Sequence, residues 1–424
     1  MTKFTILWMQ QRPWGTVDRD FEDTTAYLLY NFNPSTNDLI DLDVQLSYSN
    51  TSIDMSDPQA IFLPVTDYAY KGPTLKVENS AQWSGDGFEN FLTAGFSVAQ
   101  QDRVATPAAG GSLTFHPAGE TQTTGLWLQN EWIKNDRLTV IGGLRMDRQD
   151  LTPSAAVGSF PDTSRTAYAA NLALHYQLND QFAVFGSASY TERLPTIDEM
   201  YDTRTSGGVN YDVSAASLQS ETSRNVEVGM SWNASDFLLA NDNLTLKAVA
   251  FQNRMSDQIA RNSAAPGAGV ASFVNLDKTE IRGLELEAAW EADRFFGSLA
   301  LTHLSGKNIG DPASANPGLE NQLPADSMTL SLGTRLPDQN LELGWSLTAA
   351  VSADRVSGGS TIHTAGYSTH DVYASWKPDH GVMEGTEVRL GVSNVFDRDY
   401  RTNLQSTGTR RAGRSINLTL SKTF

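Results

Sequence analysis

Residues Asn225–Trp232 read Asn-Val-Glu-Val-Gly-Met-Ser-Trp, so that every second side chain is apolar. Successive side chains of a β-strand point to opposite faces, and this alternation therefore predicts a strand with one apolar face and one polar face. A charged residue such as Glu227 is costly in a dry core but acceptable on a wet surface. The stretch predicts a strand that lies between an apolar environment and water.

The same alternation recurs along most of the chain, for example in 138–147, 284–290 and 372–376. Strands of soluble sandwiches are typically about five or six residues long. Here the alternating segments reach about ten residues or more, which is the length of a tilted strand that crosses a bilayer. The pattern therefore predicts an all-β fold, a transmembrane antiparallel β-barrel.

The connections between the segments alternate in length, as they do in outer-membrane barrels. Short turns rich in Asn, Asp and Pro lie at 33–37, 135–136, 179–180, 241–243 and 337–340. Longer links rich in Gly, Ser, Thr and Ala lie near 101–121, 147–165, 192–219, 257–273, 305–327, 353–367 and 397–412. This alternation predicts that all the long links lie on one side of the membrane.

The segments give a count of about 17 strands, from Thr24–Phe32 to Arg414–Phe424. Because bacterial single-chain barrels have even strand numbers, either Lys3–Gln10 supplies one more strand or strands are missing upstream. We therefore divide the chain into an N-terminal remnant or loop, 1–23, and a partial β-barrel, 24–424.

Composition excludes several classes of protein. The 31 Lys and Arg against 49 Asp and Glu give a formal charge of −18, which argues against a nucleic-acid partner. Cys is absent, and none of the six His forms a metal-binding pair at short spacing. No catalytic constellation is evident, so we expect neither an enzyme nor a bound metal or covalently attached cofactor.

The last segment, Gly413–Phe424, alternates again and ends in an aromatic residue. It is similar to the C-terminal strand by which outer-membrane barrels are recognised for assembly, although Lys422 stands where an apolar residue is usual. The residues of this assembly signal are Ile416, Leu418, Leu420 and Phe424.

Several upstream blocks, together with this ending, resemble a TonB-dependent outer-membrane receptor, and the haem/haemoglobin-type subgroup is the most similar. The blocks are 143–147, 190–201, 218–223, 251–254, 274–275 with 281–285, and 392–400. The central block reads Glu-Arg-Leu-Pro at Glu192–Pro195 and Glu-Met-Tyr at Glu199–Tyr201, where the subgroup usually has Phe-Arg-Ala-Pro and Glu-Leu-Tyr. The family's plug domain and about five strands of a 22-stranded barrel would lie outside this chain.

The resemblance implies a receptor in the bacterial outer membrane that takes up an iron source, haem or a ferric siderophore. Its implied partners are outer-membrane lipid, the barrel assembly machinery and, where a plug is present, the TonB energy-coupling complex. Two other interpretations remain open. One is a passive porin-like channel, and the other is a soluble β-rich binding protein.

Five residues are candidate ligand contacts under this resemblance. The stretch 202–216 lacks the His that the haem subgroup commonly carries, but Tyr201 and Tyr211 offer phenolate oxygens for ferric iron. Glu192 and Arg193, with the neighbouring Asp198 and Glu199, either line the ligand mouth or form a structural polar cluster. His116, on a long link, either contacts haem or metal or is a solvated loop histidine.

Overall fold

The structure is a computed structural model. It describes residues 18–56, 66–107, 116–202, 205–206, 209–210, 215–262, 270–310, 319–357, 360–405 and 408–423. Within these ranges, none of the helices has the length and apolarity that a membrane crossing needs. Tyr211, Phe424 and the segment Lys3–Gln10 lie outside the described residues.

Long β-strands account for most of the described chain. In the first half they are β1 (Asp18–Phe32), β2 (Leu42–Ser56), β3 (Thr66–Gly85), β4 (Phe88–Pro107), β5 (Gly119–Lys134), β6 (Leu138–Pro153), β7 (Thr163–Gln177), β8 (Phe182–Arg193), β9 (Thr205–Ser206) and β10 (Val209–Asn210). In the second half they are β11 (Glu221–Ser235), β12 (Asn243–Arg261), β13 (Phe273–Glu291), β14 (Phe295–Asn308), β15 (Ser327–Leu336), β16 (Leu341–Ala350), β17 (Ala353–Ser357), β18 (Ser360–Thr364), β19 (Tyr367–Trp376), β20 (Thr386–Ser393) and β21 (Ser415–Lys422).

Seventeen strands of the described chain belong to one antiparallel sheet, which confirms the predicted strand count. The pairs β9–β10 and β17–β18 form separate two-stranded hairpins inside long connections. Among the described residues, the remaining elements are the helix α1 (Ile197–Tyr201) and the 3₁₀ turns Leu319–Gln322, Pro337–Gln339 and Gly381–Met383.

The chain divides into two compact units. One comprises Met1–Ala173, Ser189–Arg224 and Met255–Lys278, and the other comprises Leu174–Ala188, Asn225–Arg254 and Thr279–Phe424. In the first unit, strands β1 to β6 pair in sequence order. In the second, β14 pairs with β13 and β15, and the ladder continues through β16, β19, β20 and β21.

The register separates apolar from polar side chains in the second unit. Leu284 and Leu286 of β13 lie opposite His303 and Leu301 of β14, whereas Glu285 lies opposite Thr302. Directly opposite residues of an antiparallel pair share a face, so the leucines form one face and the glutamate belongs to the other. Leu284 remains 57% exposed, which is the position of a side chain that faces lipid.

The closing strand follows the same rule. Ile416, Leu418 and Leu420 of β21 lie opposite Val392, Leu390 and Val388 of β20. The three residues are about 70% exposed, at 70%, 71% and 69% respectively. They therefore form an apolar outer stripe, and their role as an assembly signal stays a prediction.

The strands are longer than the alternation predicted. The first strand of the sheet begins at Asp18 rather than near Thr24, and β12 continues to Arg261 within the predicted link 257–273. The extra residues pair in regular register, as Asp18 does with Ser56. Strand ends that project beyond the membrane need no apolar face. Their residues can be polar on both faces, and the alternation of apolar and polar residues then does not reveal the strand.

Candidate functional site

The central block of the resemblance, 190–201, has a defined local structure rather than an open loop. A capping box starts α1: the Thr196 hydroxyl accepts from the Glu199 backbone N–H at 3.4 Å, and the Glu199 carboxylate accepts from the Thr196 N–H at 2.9 Å. These reciprocal bonds satisfy donors that the first turn of a helix leaves without partners. The helix therefore begins at a fixed place directly after β8.

The apolar side of α1 fixes the helix against the sheet. Ile197, Met200 and Tyr201 are buried in one cluster with Leu151 of β6, and the Tyr201 ring lies 5.0 Å from that of Phe160. Burial raises the pKa of the Tyr201 hydroxyl. An iron ligand must be reachable by the metal, and the Tyr201 side chain is 0% exposed in this arrangement. The structure gives it an anchoring position rather than the ligand position considered above.

Arg193, at the end of β8, lies between two carboxylates. Its Nη1 is 2.9 Å from Glu199 Oε2, and its Nη2 is 3.1 Å from Glu221 Oε2. The same oxygen of Glu221 accepts the Ile259 N–H at 2.9 Å. The cluster thereby joins β8, α1, β11 and β12. Of the two interpretations of these residues, this geometry favours the structural polar cluster.

Glu192 belongs to the other face of β8, because adjacent strand residues point in opposite directions. Its carboxylate accepts from the Tyr190 hydroxyl, two residues earlier on the same face, and from the Tyr168 N–H at 3.0 Å. Glu192 and Arg193 therefore do not line one ligand mouth together.

His116 lies in a polar and aromatic cluster just before β5. Its Nε2 is 2.6 Å from the Tyr70 hydroxyl, and the Tyr68 ring meets it edge to face at 4.5 Å. The Arg103 guanidinium, which is a donor only, donates to Nδ1. The neutral ring therefore carries its proton on Nε2 and donates it to Tyr70.

Burial, followed by the positive charge of Arg103, lowers the pKa of His116 to about 4. A neutral imidazole is the form that binds metal ions, but both ring nitrogens here already have partners. Arg103, which is buried, also donates to Asp198 at the start of α1. His116 is thus connected to the block 190–201 through Arg103, and in this arrangement it offers no free nitrogen to haem.

Sequence reasoning missed Arg103 and Tyr70, and no local pattern marks either residue. It also missed α1, although the Thr-x-x-Glu spacing from Thr196 to Glu199 is a capping-box signal that was available. In the part of the chain that the structure describes, there is no group of three or more His, Asp or Glu that could hold a metal ion.

Long antiparallel strands with an apolar outer face define the class of outer-membrane β-strand proteins. The family model described as "TonB dependent receptor-like, beta-barrel" matches residues 4–395, so the chain belongs to this family. Its members lie in the bacterial outer membrane, which confirms the predicted resemblance and location. They are receptors rather than enzymes, in agreement with the non-enzyme prediction.

The chain is similar to curated haem receptors over almost its whole length. It is 25% identical to "TonB-dependent heme receptor A" of Haemophilus ducreyi, over 96% of this chain and 62% of that protein. It is 26% identical to "Hemin receptor" of Yersinia pestis, over 95% of this chain and 57% of that protein. The chain thus spans about three-fifths of the length of these relatives.

A solved structure shares the fold. The hemophore receptor HasR of Serratia marcescens, solved with its hemophore HasA and heme, superposes with a TM-score of 0.75 at 21% identity. The superposition covers 95% of this chain and 65% of that receptor.

Proposed function

We propose that this chain is the β-barrel part of an outer-membrane receptor that takes up haem as an iron source. The observation that carries this proposal is the similarity to two receptors named for heme and hemin over 95–96% of this chain. A similarity of that extent includes both the strands and the long connections, and so it does not depend on one shared motif.

The inner face of the sheet suits the passage of a charged ligand. On β13, Glu285 and Glu287 are exposed on the face opposite Leu284 and Leu286, and charged side chains there imply contact with water. In the whole receptor we propose coupling to TonB, assembly by the barrel machinery and a surrounding shell of outer-membrane lipid. A division between a leading segment and the barrel remains part of the proposal, with its boundary at the start of β1, Asp18, rather than at residue 24.

The contacts around α1 define the roles that we propose for the candidate residues. Arg193 and His116 act as positioning residues that hold α1 and the segment before β5 near the long connections. Tyr201 anchors α1 from inside its cluster, and Glu192 joins β8 to β7. Tyr211, which lies outside the described residues, remains the proposed phenolate donor for ferric iron.

Growth of a haem-requiring bacterial host tests the proposal. The gene product that carries this chain is expressed in a host that cannot make haem, and growth is measured on limiting hemin. We expect growth that depends on both the receptor and TonB. Growth that persists without TonB would favour the porin-like channel, and an absence of heat-modifiable mobility in the membrane fraction would favour the soluble binding protein.

A second arm separates the two iron sources. A host that makes its own haem but no siderophore is starved of iron and supplied with hemin or with ferric siderophores. Growth with hemin but not with ferric siderophores supports haem as the ligand. Growth only with a ferric siderophore would show instead that the ligand is a ferric siderophore. Growth on hemin is also compared between the His116→Ala variant and a matched control, His363→Ala. His363 is suitable because it is an exposed histidine that pairs with Asp354 in β17–β18.

A further inference from the structure

Three cations surround one buried carboxylate on strands β12, β13 and β14. The Glu280 side chain is only 3% exposed, and its oxygens lie 2.8 Å from Arg254 Nε, 3.0 Å from Arg282 Nη2 and 3.5 Å from Lys307 Nζ. The three basic side chains remain 58%, 58% and 61% exposed. One carboxylate neutralises one of the three cations, so the cluster presents an excess of two positive charges to its surroundings.

This basic cluster lies on the apolar face of the sheet. Glu280 and Arg282 share the face of Leu284 because they precede it by four and two residues on β13. Lys307 lies opposite Glu280, just as His303 lies opposite Leu284. The cluster is therefore on the side that faces lipid, and it lies toward the strand ends that lead into the long connections.

An apolar groove of about 860 Å³ begins beside the cluster on the same face. Its lining includes Val228, Ala248, Ala250, Leu284, Leu301 and Met328. The small alanines of β12 leave a depression between larger side chains of the neighbouring strands. The His303–Asp326 pair, with Nδ1 2.6 Å from Oδ2, borders the groove toward the long connections.

We propose that the groove and the basic cluster together bind one phosphorylated lipid of the outer leaflet. An acyl chain occupies the groove, and a headgroup phosphate contacts Arg254, Arg282 and Lys307. The occupant follows from the position of the site, because an apolar groove on the outer face of a membrane sheet meets only lipid hydrocarbon. The phosphate follows from charge complementarity, since arginine and lysine clusters at a membrane surface recognise anionic headgroups.

Glu280 has a positioning role in this site. Its buried carboxylate holds three long side chains that would otherwise separate by mutual repulsion, and Gln252 Nε2 donates to it at 2.5 Å. Two or more guanidinium and ammonium groups held at fixed places can donate hydrogen bonds to several oxygens of one phosphate. The site does not depend on which ligand the receptor imports.

Native mass spectrometry of the detergent-purified gene product tests this proposal. The probe is lipid A, a phosphorylated outer-leaflet glycolipid, and the comparison probe is the same lipid after chemical removal of its phosphates. We expect one bound lipid A per protein and much weaker binding of the dephosphorylated form. Equal binding of the two forms would overturn the role of the phosphate.

Two matched pairs of variants locate the site. Arg282→Gln with Lys307→Gln removes two charges from the cluster, whereas Lys247→Gln with Arg389→Gln removes two from the opposite face of the sheet. Lys247 is next to Ala248 of the groove, and Arg389 is next to Leu390, which faces outward opposite Leu418, so both basic side chains point to the other face. Because each basic residue near a membrane surface contributes measurably, we expect the first double variant to bind lipid A about tenfold or more weakly. We expect the second to bind it unchanged, and equal binding by both would overturn the proposal.

The groove has its own pair of variants, which leave every charge in place. Ala250→Trp fills the groove, and Ala300→Trp adds the same bulk on the opposite face, where Ala300 lies opposite Glu287. Loss of bound lipid A only in Ala250→Trp supports the proposal, and retention in both variants contradicts it. Heat-modifiable mobility of each variant identifies any that fails to fold, and the charge variants then decide the question.

Discussion

The Nε2 atom of His116 lies 2.6 Å from the hydroxyl of Tyr70, a residue 46 positions earlier in the chain. Arg103 occupies the other ring nitrogen and also contacts Asp198, so this single imidazole joins β3, β4 and the start of α1. The arrangement requires a neutral ring, because a protonated Nδ1 cannot accept from a guanidinium.

We therefore predict that acid loosens the segment around His116. The pKa of His116 is lowered from 6.5 to about 4 in the fold. A histidine with a lowered pKa contributes stability that is complete above about pH 6.5 and is lost as the pH falls toward 4. We expect the protection factors of the amides of His116, Ala118 and 197–201, which correct each rate for the intrinsic pH dependence of exchange, to fall over this interval, with a local cost of roughly 1–3 kcal/mol.

The His116→Gln variant is the control for this pH dependence. It removes the titrating ring, so its protection factors should be lower at pH 7 and change little between pH 6.5 and 4. Protection factors in the native protein that stay constant over the same range would show that His116 does not control this segment.

Arg193 carries the second prediction. Arg193→Gln leaves two largely buried carboxylates near each other, and we expect faster proteolysis of the connection after β8. The arginine side chain is 41% exposed and solvent screens its ion pairs, so the expected loss is roughly 1 kcal/mol, less than for a fully buried pair. Arg193→Lys keeps the charge without the forked geometry and should be milder. If Gln and Lys have equal effects, geometry rather than charge holds the cluster.

The two faces of β13 give the third prediction. Leu286→Arg places a charge on the lipid-facing side and should lower the free energy of unfolding by roughly 2–4 kcal/mol if the position is near the bilayer midplane. Glu287→Arg, one residue away on the wet side, should be far milder. The measurement is urea unfolding of protein folded into phospholipid vesicles. Similar losses in both variants would mean that the alternation does not separate lipid from water.

The strand pattern was predictable from sequence because the membrane imposes it on each strand separately. The alternation in Asn225–Trp232 has to satisfy lipid on one side and water on the other, so about ten residues contain the whole signal. The strand count and the alternation of short and long connections follow from the same constraint. The polar strand ends, including Asp18–Asp23, are not subject to this constraint, so the alternation did not predict them.

The site was less predictable because its partners are distant in sequence. Arg103 and Asp198 are 95 residues apart, and nothing near Arg103 distinguishes it from other residues at the start of a polar link. The sequence indicated that Arg193 and Glu199 either line the ligand mouth or form a structural polar cluster. The structural role is favoured only by the contact of Arg193 with Glu221, which the sequence did not predict. The Glu280 cluster likewise depends on the register between β13 and β14.

Asp242 gives a fourth prediction, in the turn between β11 and β12. Burial acts to raise the pKa of Asp242, but bonds from Trp290 Nε1 at 2.8 Å and from three backbone N–H groups outweigh it and lower the pKa to about 2. An aspartate of this kind contributes stability above about pH 3.8, and the contribution is lost as the pH falls through about 2. Asp242→Asn should accelerate amide exchange at 237–239 at neutral pH. Asp338→Asn, in the turn 337–340, is the control and should leave 237–239 unchanged.

The fifth prediction concerns the two sides of the membrane. The turn before β8 is short and the connection after it is long, and the family rule places long connections outside the cell.

The experiment uses two exposed positions, Asp180 in the short turn and Ser217 in the long connection. Within this chain a single cysteine at either position has no competing thiol, because the chain contains no cysteine. On intact cells, an impermeant maleimide should label the Ser217→Cys variant and spare Asp180→Cys, which should react only after the outer membrane is permeabilised. The reverse labelling pattern would invert the topology and would place His116, α1 and the basic cluster on the periplasmic side.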